Sequence, residues 1–227
     1  MKNIIYVLFL GVVLFFSCKT DKEKETPPTT TEETSIMQRI ADANGYQQWK
    51  NVNEIKFTFN VDRPDGHFDR TWIWKPKSNE VTAITKTDTL TYNRSDMDSV
   101  AIKTDRGFIN DKYWLLAPFN LVWDQNSFKQ DYTDEFETLI SGEKMHKLTI
   151  VYGDKGGYTP GDAYDFFFGD DYIVREWIYR KGNRISPSMY TTWEDYVDKN
   201  GIEIATMHKD ATGDFKLSFT DIEVKTE

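Results

Sequence analysis

The sequence has few cysteines and histidines and fewer basic than acidic residues, and each of these features argues against a class of protein. One cysteine among 227 residues excludes an intrachain disulfide and a cysteine-based zinc site. The three histidines, His67, His146 and His208, lie far apart and form no His-x-x-x-His pair, so we expect no metal and no cofactor. Lysine and arginine total 28 against 37 acidic residues, a net charge of −9. A nucleic-acid binder needs a basic face, so we expect no nucleic-acid partner.

Long apolar runs are also scarce, and the one clear run is at the start. Residues 4–16 are apolar apart from one glycine and follow Lys2. A helix of this length extends about 20 Å, whereas the hydrocarbon layer of a membrane is about 30 Å thick. The run is therefore too short to span a membrane, and residues 1–17 are predicted to be a signal peptide.

The single cysteine, Cys18, comes directly after this run, in Phe15-Phe16-Ser17-Cys18. A small residue before a cysteine at this place resembles a bacterial lipobox, in the loosened form seen in Bacteroidota. The resemblance implies that Cys18 becomes the first mature residue, carries acyl chains such as palmitate, and anchors a lipoprotein in the outer membrane. The alternative is an ordinary secretory signal followed by an incidental cysteine.

Residues 18–35 are predicted to form the lipidated cysteine and a flexible tether. From Lys19 onward the segment is charged and then rich in proline and threonine, without an apolar residue that could form a core. Its acidic cluster, Asp21, Glu23 and Glu25, resembles the export signal of some surface-displayed Bacteroidota lipoproteins. The alternative is a solubilising linker, which leaves the periplasmic face and the cell surface both open.

Residues 36–227 are predicted to form a single, mainly β domain. Ser35 can cap a helix of about three turns that carries Ile36, Met37, Ile40 and Ala41 on one face. The hydrophobic period then changes to two, with apolar residues at 55, 57, 59 and 61, which indicates a strand.

Turn residues recur about every ten positions towards the C-terminus, which is typical of an antiparallel meander. We expect about ten or eleven strands in a half-open antiparallel β-barrel, with the N-terminal helix as plug or lid. The strands predicted in this half are residues 144–152, 163–168, 172–180, 189–197, 202–208 and 215–224.

Large aromatic residues are expected at inward positions of this sheet, with the later tryptophans placed in strands or at their ends. They would fill a solid core, line an apolar cavity, or face outward as platforms for sugars, and composition does not decide between these. The candidate ligand-binding residues are Phe57, Phe59, Trp72, Trp74, Trp114, Phe119, Trp123 and Trp177.

The order of aromatic motifs resembles a known family. Trp49 is followed by Ile55-Lys56-Phe57-Thr58-Phe59, then by Trp72-Ile73-Trp74-Lys75-Pro76, and later by residues 108–119, FINDKYWLLAPF. This order is similar to the carrier LolA, the receptor LolB and related lipoprotein-sorting proteins, over roughly residues 36–224. The resemblance implies a half-open barrel whose helices cover an apolar cavity for acyl chains.

We therefore expect a lipid-anchored outer-membrane protein that binds an apolar or amphiphilic ligand, such as a lipid or a lipoprotein acyl chain, without catalysis. The alternative is a surface lipoprotein that binds a glycan or a protein. A hydrolase is a weaker hypothesis, since it needs only two suitably spaced carboxylates. Asp165, Glu176 and Glu194 lie among aromatics, but we expect them to be exposed strand residues.

Overall fold

The computed structural model describes residues 34–227, which cluster into one compact unit rich in β-strands. The predicted signal peptide, Cys18 and most of the predicted tether lie outside the described residues. None of the described helices combines the length and apolar character needed to cross a membrane. The elements are α1 (Ile36–Ala43), β1 (Val52–Arg63), β2 (Gly66–Lys75), β3 (Glu80–Ile84), β4 (Thr89–Asn93), α2 (Ser99–Trp123), β5 (Phe128–Glu137), β6 (Lys144–Tyr152), β7 (Ala163–Phe168), β8 (Val174–Arg180), β9 (Met189–Thr192), β10 (Glu194–Lys199), β11 (Ile202–Lys209) and β12 (Lys216–Thr226).

The strands of residues 34–227 form two antiparallel sheets. The larger sheet has the order β10-β11-β12-β1-β2-β3-β4, and the smaller has the order β5-β6-β7-β8-β9. The predicted mainly β, antiparallel architecture is confirmed. The two sheets contain twelve strands rather than ten or eleven, and their arrangement is consistent with an open barrel.

The two sheets meet where β9 continues into β10 through one residue, Trp193. The backbone N–H of Trp193 donates to the carbonyl of Arg175 at 2.7 Å, while Asp195 has a positive φ of 55°. The predicted single strand over residues 189–197 is therefore divided, because the chain bends here from one sheet into the other. At the far edges, β4 and β5 are joined by α2.

Hairpin turns occur where the sequence predicts them. In the turn between β1 and β2, Arg63 lies opposite Gly66. Asn200 and Gly201 join β10 to β11 with φ values of 55° and 81°, the left-handed conformation that an Asn-Gly hairpin requires. On β1, Ile55, Phe57 and Phe59 are buried, as their alternation predicts.

Helix α1 begins as predicted but ends early. The Ser35 hydroxyl accepts a hydrogen bond from the backbone N–H of Gln38, and Ile40 is fully buried. The helix ends before Gly45, whose φ is 84°, and a 3₁₀ helix (Tyr46–Asn51) follows. A Cβ atom on Gly45 would lie 1.8 Å from the carbonyl oxygen of Gly201, so only glycine permits this close approach.

The long helix α2 is the main difference from the sequence-based expectation. Trp114, Phe119 and Trp123 were expected in strands or at their ends, and that prediction is wrong, since all three lie on α2. Asp98 caps its N-terminus by accepting from the Ala101 N–H at 2.8 Å. The sequence did not predict this helix because it contains many aromatic residues, a glycine and a proline, all of which are poor helix formers. The helix is also buried on several sides, so its sequence shows no amphipathic pattern.

Helix α2 is kinked at Leu116, where φ is −130° and ψ is 32°. Pro118 contributes to the kink because it has no N–H to donate to the preceding turn. The Asn120 side chain donates to the Leu116 carbonyl at 2.9 Å, and the Lys112 ammonium donates to Asn120 Oδ1 at 3.1 Å. Burial lowers the pKa of Lys112 to about 8, and its Nζ lies 4.8 Å from the ring centre of Trp123. The Asn120 amide therefore bonds to the kinked residue, and Lys112 holds the other end of that amide.

A buried carboxylate ties α2 to β2. Asp111 is fully buried and accepts from Arg70 Nε at 2.5 Å, Arg70 Nη2 at 2.6 Å and Trp72 Nε1 at 2.7 Å. The guanidinium of Arg70 also crosses Gly107, where an added Cβ would lie 2.6 Å from Arg70 Nη1. Gly107 thus leaves room for the ion pair within the helix.

Helix α2 also packs against both sheets. The Phe108 ring lies 5.5 Å from Trp72 and 5.4 Å from Trp74 on the larger sheet. On the smaller sheet, Trp177 lies 4.3 Å from Trp114. Much of the space between the sheets is consequently occupied by α2.

Candidate functional site: an aromatic pocket between α2 and the smaller sheet

An aromatic pocket lies between α2, the smaller sheet and the loop that joins β6 to β7. Its volume is about 210 Å³. Helix α2 supplies two lining residues, the loop two, and strands β7, β8 and β9 the other four. The lining residues are Asn110, Trp114, Tyr158, Thr159, Tyr164, Trp177, Tyr179 and Met189.

Strand alternation explains why these side chains point into the pocket. On β8, Trp177 and Tyr179 are two residues apart and therefore share one face. Tyr164 of β7 lies opposite Tyr179 in the register, and their rings are 5.2 Å apart. Met189 of β9 also lies opposite Tyr179 and closes the edge of the pocket.

The cover of the pocket is the Tyr158 loop, residues 153–162. The Tyr158 ring stacks on Tyr113 of α2 with a centroid distance of 3.7 Å, and its hydroxyl donates to Asn110 Oδ1 at 3.0 Å. Gly156 and Gly157, with φ values of 77° and 72°, precede this ring. The left-handed backbone at these glycines turns Tyr158 back over the pocket.

The pocket presents aromatic faces and neutral polar groups. Burial raises the pKa of Tyr158 and Tyr164 far above the ordinary value, and that of Tyr179 to about 12, so all three phenols are protonated at neutral pH. No carboxylate, histidine, lysine or arginine is among the eight lining residues. The lining therefore consists of aromatic surface and neutral hydrogen-bonding groups.

A buried histidine lies behind one wall of the pocket. The ring of His208 on β11 is fully buried, 5.3 Å from Trp114 and 4.5 Å from Trp193. Burial lowers the pKa of His208 to about 3, and its Nδ1 lies 3.2 Å from the Thr192 carbonyl oxygen. Because that carbonyl can only accept, Nδ1 carries the proton, and Nε2 has no hydrogen-bond partner among the described residues.

Two of the three candidate catalytic carboxylates are not exposed, contrary to expectation. Asp165 and Glu176 are both buried. They alternate along β7 and β8 with the residues that line the pocket, so they lie on the opposite face of the sheet. Asp165 accepts from Thr149 Oγ1 at 2.6 Å, while Glu176 accepts from the backbone N–H of Ile140 and Ser141. These two carboxylates serve structural hydrogen bonds.

The third carboxylate, Glu194, pairs with Lys209 at 2.6 Å. Its partial burial tends to raise its pKa, but hydrogen bonds from Lys209 and Thr192 outweigh burial and lower it. In residues 34–227, no group of three or more histidine, cysteine or acidic side chains is arranged to hold a metal ion.

The eight predicted ligand-binding residues fall into two groups, one in the aromatic pocket and one in or against the hydrophobic core. Trp114 and Trp177 line the aromatic pocket. The other six do not line it. Five of these are buried and Trp123 is half-buried, and they belong to the hydrophobic core or pack against it. They are Phe57, Phe59, Trp72, Trp74, Phe119 and Trp123.

Sequence reasoning missed six of the lining residues, including the three tyrosines of the pocket. Tyr164 and Tyr179 lie in segments that were predicted as strands, so alternation could have indicated their face. Tyr158 and Thr159 lie in a loop whose path the sequence does not specify, and Asn110 lies in the unpredicted helix.

A second cavity of about 380 Å³ lies beside the first and shares Met189 as a lining residue. It lies where the β1–β2 and β11–β12 turns approach β9. Its wall includes Arg63, whose guanidinium lies 5.7 Å from the ring centre of Phe215, and Asp210. This cavity is more open and more polar than the aromatic pocket.

Comparison with known proteins shows which solved structures resemble this fold. The sequence matches no family model and no curated protein. A solved LolA superfamily protein of Nitrosomonas europaea superposes with a TM-score of 0.51 at 11% identity, covering 85% of this chain and 93% of that one. A DUF1329 family protein of Desulfovibrio piger has a TM-score of 0.45 at 11% identity, covering 85% and 94%. An outer membrane lipoprotein-sorting domain of Vibrio parahaemolyticus has a TM-score of 0.49 at 8% identity, covering 84% and 91%.

The first of these likenesses covers most of both chains and agrees with the fold that the aromatic motifs predicted. At 11% identity it establishes the fold and does not carry the function of that protein to this one. The described part of the chain therefore has a LolA-like fold.

Proposed function

We propose that this protein binds a small apolar or amphiphilic molecule, without catalysing a reaction, and that the aromatic pocket is the binding site. The observation that carries the proposal is a preformed, uncharged cavity lined by five aromatic rings beneath a glycine-containing loop. Pockets of this kind, mostly apolar with a few polar groups, are typical ligand sites. The LolA-type fold supports the proposal, because the family resemblance implies a cavity for acyl chains.

The size of the pocket limits what it holds as the structure stands. A volume of 210 Å³ corresponds to about seven water molecules at roughly 30 Å³ each. A short chain or a headgroup fits this space, whereas a long acyl chain would extend beyond it. Covering roughly 200 Å² of apolar ligand surface contributes about 5 kcal/mol before the cost of association, so we expect weak and reversible binding.

Filling the pocket should abolish the binding of an apolar probe. We expect 1-hexanol to give saturation-transfer NMR signals with residues 34–227, and Met189→Trp to reduce them at least several-fold because the larger ring occupies the cavity. Tyr190→Trp is the matched control, since Tyr190 is the next residue of β9 and does not line the pocket. Equal signals from both variants would exclude the pocket as the site.

Lipid anchoring through Cys18 is a separate part of the proposal, supported by the lipobox-like sequence. We expect the full chain, expressed in a bacterial host, to incorporate a labelled fatty acid and to fractionate with membranes. Cys18→Ser should lose the label and most of the membrane association, because acyl chains supply the anchoring free energy. A wild-type chain with an unmodified Cys18 would contradict the anchor but leave the pocket untouched.

The outer membrane is the proposed location of the anchored protein. Fractionation of inner and outer membranes tests it, and protease treatment of intact cells distinguishes the cell surface from the periplasmic face. Binding of a glycan by exposed aromatics, lost when those residues are changed and insensitive to Met189→Trp, would favour the surface-receptor alternative over the pocket.

A further inference from the structure

The aromatic pocket differs from a simple hydrocarbon site in the kind of apolar surface that it offers. Five of its eight lining residues are aromatic, and Met189 is the one aliphatic side chain. The ring planes meet at varied angles, with Trp114 and Trp177 at 60° and Tyr158 and Tyr164 at 41°. The cavity is therefore bounded by aromatic rings in several orientations, and a ring face turned towards a ligand stabilises a cation better than a hydrocarbon wall does.

The protein does not place a cation of its own on these rings. In residues 34–227, every arginine or lysine that lies over an aromatic ring lies over a ring outside the pocket, as Lys112 does over Trp123 and Arg70 over Phe59. No lysine or arginine of the described residues therefore competes with a cationic ligand for the rings of the pocket.

A carboxylate at the end of the Tyr158 loop bonds to one of the lining residues of the pocket. Asp162 accepts a hydrogen bond from the Tyr179 hydroxyl at 2.9 Å and another from the Gly182 N–H at 2.7 Å. No described lysine or arginine forms an ion pair with Asp162, and the whole chain carries a net charge of −9. This carboxylate and the negative net charge therefore favour a positive ligand over an anionic one.

The lining also selects among cations. A primary ammonium loses strong hydration on burial and needs acceptors for its three N–H groups, and no carboxylate lines the cavity to supply them. A quaternary ammonium has no N–H to satisfy and presents methyl groups that pack against ring faces. Such a group is compact enough for a cavity of 210 Å³.

We propose that the aromatic pocket binds a quaternary ammonium group, carried by a free small molecule such as choline or by the headgroup of a lipid. This inference rests on the proposed function, because it uses the same pocket, and it adds the class of the ligand.

A matched pair of probes tests the charge. Choline and 3,3-dimethyl-1-butanol have the same shape, but the second has carbon in place of the charged nitrogen. We expect residues 34–227 to bind choline about ten-fold or more tightly than the neutral alcohol, measured by ligand titration with NMR detection. Equal or tighter binding of the alcohol would overturn the inference while leaving apolar binding intact, whereas failure of choline, the alcohol and 1-hexanol together would overturn the proposed function as well.

A variant separates cation recognition from general packing. Trp114→Leu keeps an apolar wall but removes a ring face, so it should weaken choline binding several-fold and leave the binding of the neutral alcohol nearly unchanged. Trp49→Leu is the matched control, because Trp49 is a half-buried tryptophan that packs on Trp74 outside the pocket. Equal losses in both variants would contradict a specific role for the pocket.

The source of the ammonium group is resolved with a third probe. A short-chain phosphatidylcholine, used below its micelle concentration, should bind at least ten-fold more tightly than choline if the ligand is a lipid. If a free small molecule is the ligand, the lipid should bind no better than choline. A short-chain phosphatidylglycerol that binds as well as phosphatidylcholine would overturn headgroup recognition.

Discussion

Asp111→Ala is expected to lower the free energy of unfolding by about 3–5 kcal/mol. Asp111 is fully buried and holds both Arg70 and Trp72, so its removal leaves a partly buried guanidinium and an indole N–H without their acceptor. These bonds attach α2 to β2, and α2 in turn carries Asn110 and Trp114 of the aromatic pocket. Urea unfolding of residues 34–227, followed by tryptophan fluorescence, measures the loss.

Glu223→Ala provides the matched control for this prediction. Glu223 pairs with Lys56 at 3.0 Å, but Glu223 is exposed to solvent, so removing this carboxylate should cost far less than removing Asp111. If Asp111→Ala were no more destabilising than Glu223→Ala, the buried ion pair would not hold α2 in place. Combining Asp111→Ala with Arg70→Ala should cost less than the sum of the two single changes, since both remove the same interaction.

Acidification is expected to destabilise the protein through His208. Burial lowers the pKa of this histidine to about 3, below the ordinary value of 6.5, so the folded state resists taking up the proton that the unfolded state accepts. The stability that His208 contributes is therefore present above pH 6.5 and is lost as the pH falls from 6.5 towards 3. The loss is on the order of 5 kcal/mol between pH 7 and pH 3.

Urea unfolding at a series of pH values measures this effect. His208→Phe cannot take up a proton, so its stability should fall less steeply below pH 6.5 than that of the unaltered protein. His208→Gln serves the same purpose if the phenylalanine ring does not fit against Trp114 and Trp193. Parallel curves for the unaltered protein and both variants would show that His208 is not the acid-sensitive group.

His146 provides a control because its pKa is shifted in the direction opposite to that of His208. A hydrogen bond with Asp170 raises the pKa of His146 against the opposing effect of partial burial. Its contribution is therefore present below pH 6.5 and is lost as the pH rises. His146→Phe should not reduce the acid sensitivity, and the contrast with His208→Phe separates a buried histidine from an ion-paired one on the surface.

Local sequence patterns predicted much of the β structure because each depends on neighbouring residues only. The alternation along β1 follows from two-residue periodicity, and the Asn200-Gly201 turn follows from its demand for positive φ. The Ser35 cap is likewise a contact with Gln38, three residues away. These elements could be located without knowing how the sheets pack.

Helix α2 shows where local reasoning failed. Its position depends on Asp111 meeting Arg70, which is 41 residues away, and on Gly107 leaving space for that arginine. The helix is in contact with both sheets, so its apolar residues are not confined to one stripe. Aromatic residues that favour strands on average are therefore helical here, because tertiary packing outweighs local propensity.

Local patterns indicated only two of the residues that line the pocket, because the pocket also depends on tertiary packing. Trp114 and Trp177 were selected as large aromatic residues and line the pocket, yet the same criterion also selected Phe57 and Trp72, which belong to the core. What separates pocket from core is the Tyr158 loop, whose ring stacks on Tyr113, 45 positions earlier in the chain.

The sequence by itself determined a β-rich antiparallel domain and most of its strands and turns, because strand alternation and turn chemistry are short-range patterns. The LolA-like fold was implied by a family resemblance of its aromatic motifs. The sequence also predicts the signal peptide and the acylated Cys18, which lie outside the described residues. Only the tertiary structure decided that α2 occupies the interior and that Tyr158 closes a small aromatic pocket over Trp177. Those features depend on strand register and on contacts between distant residues, which no local pattern specifies.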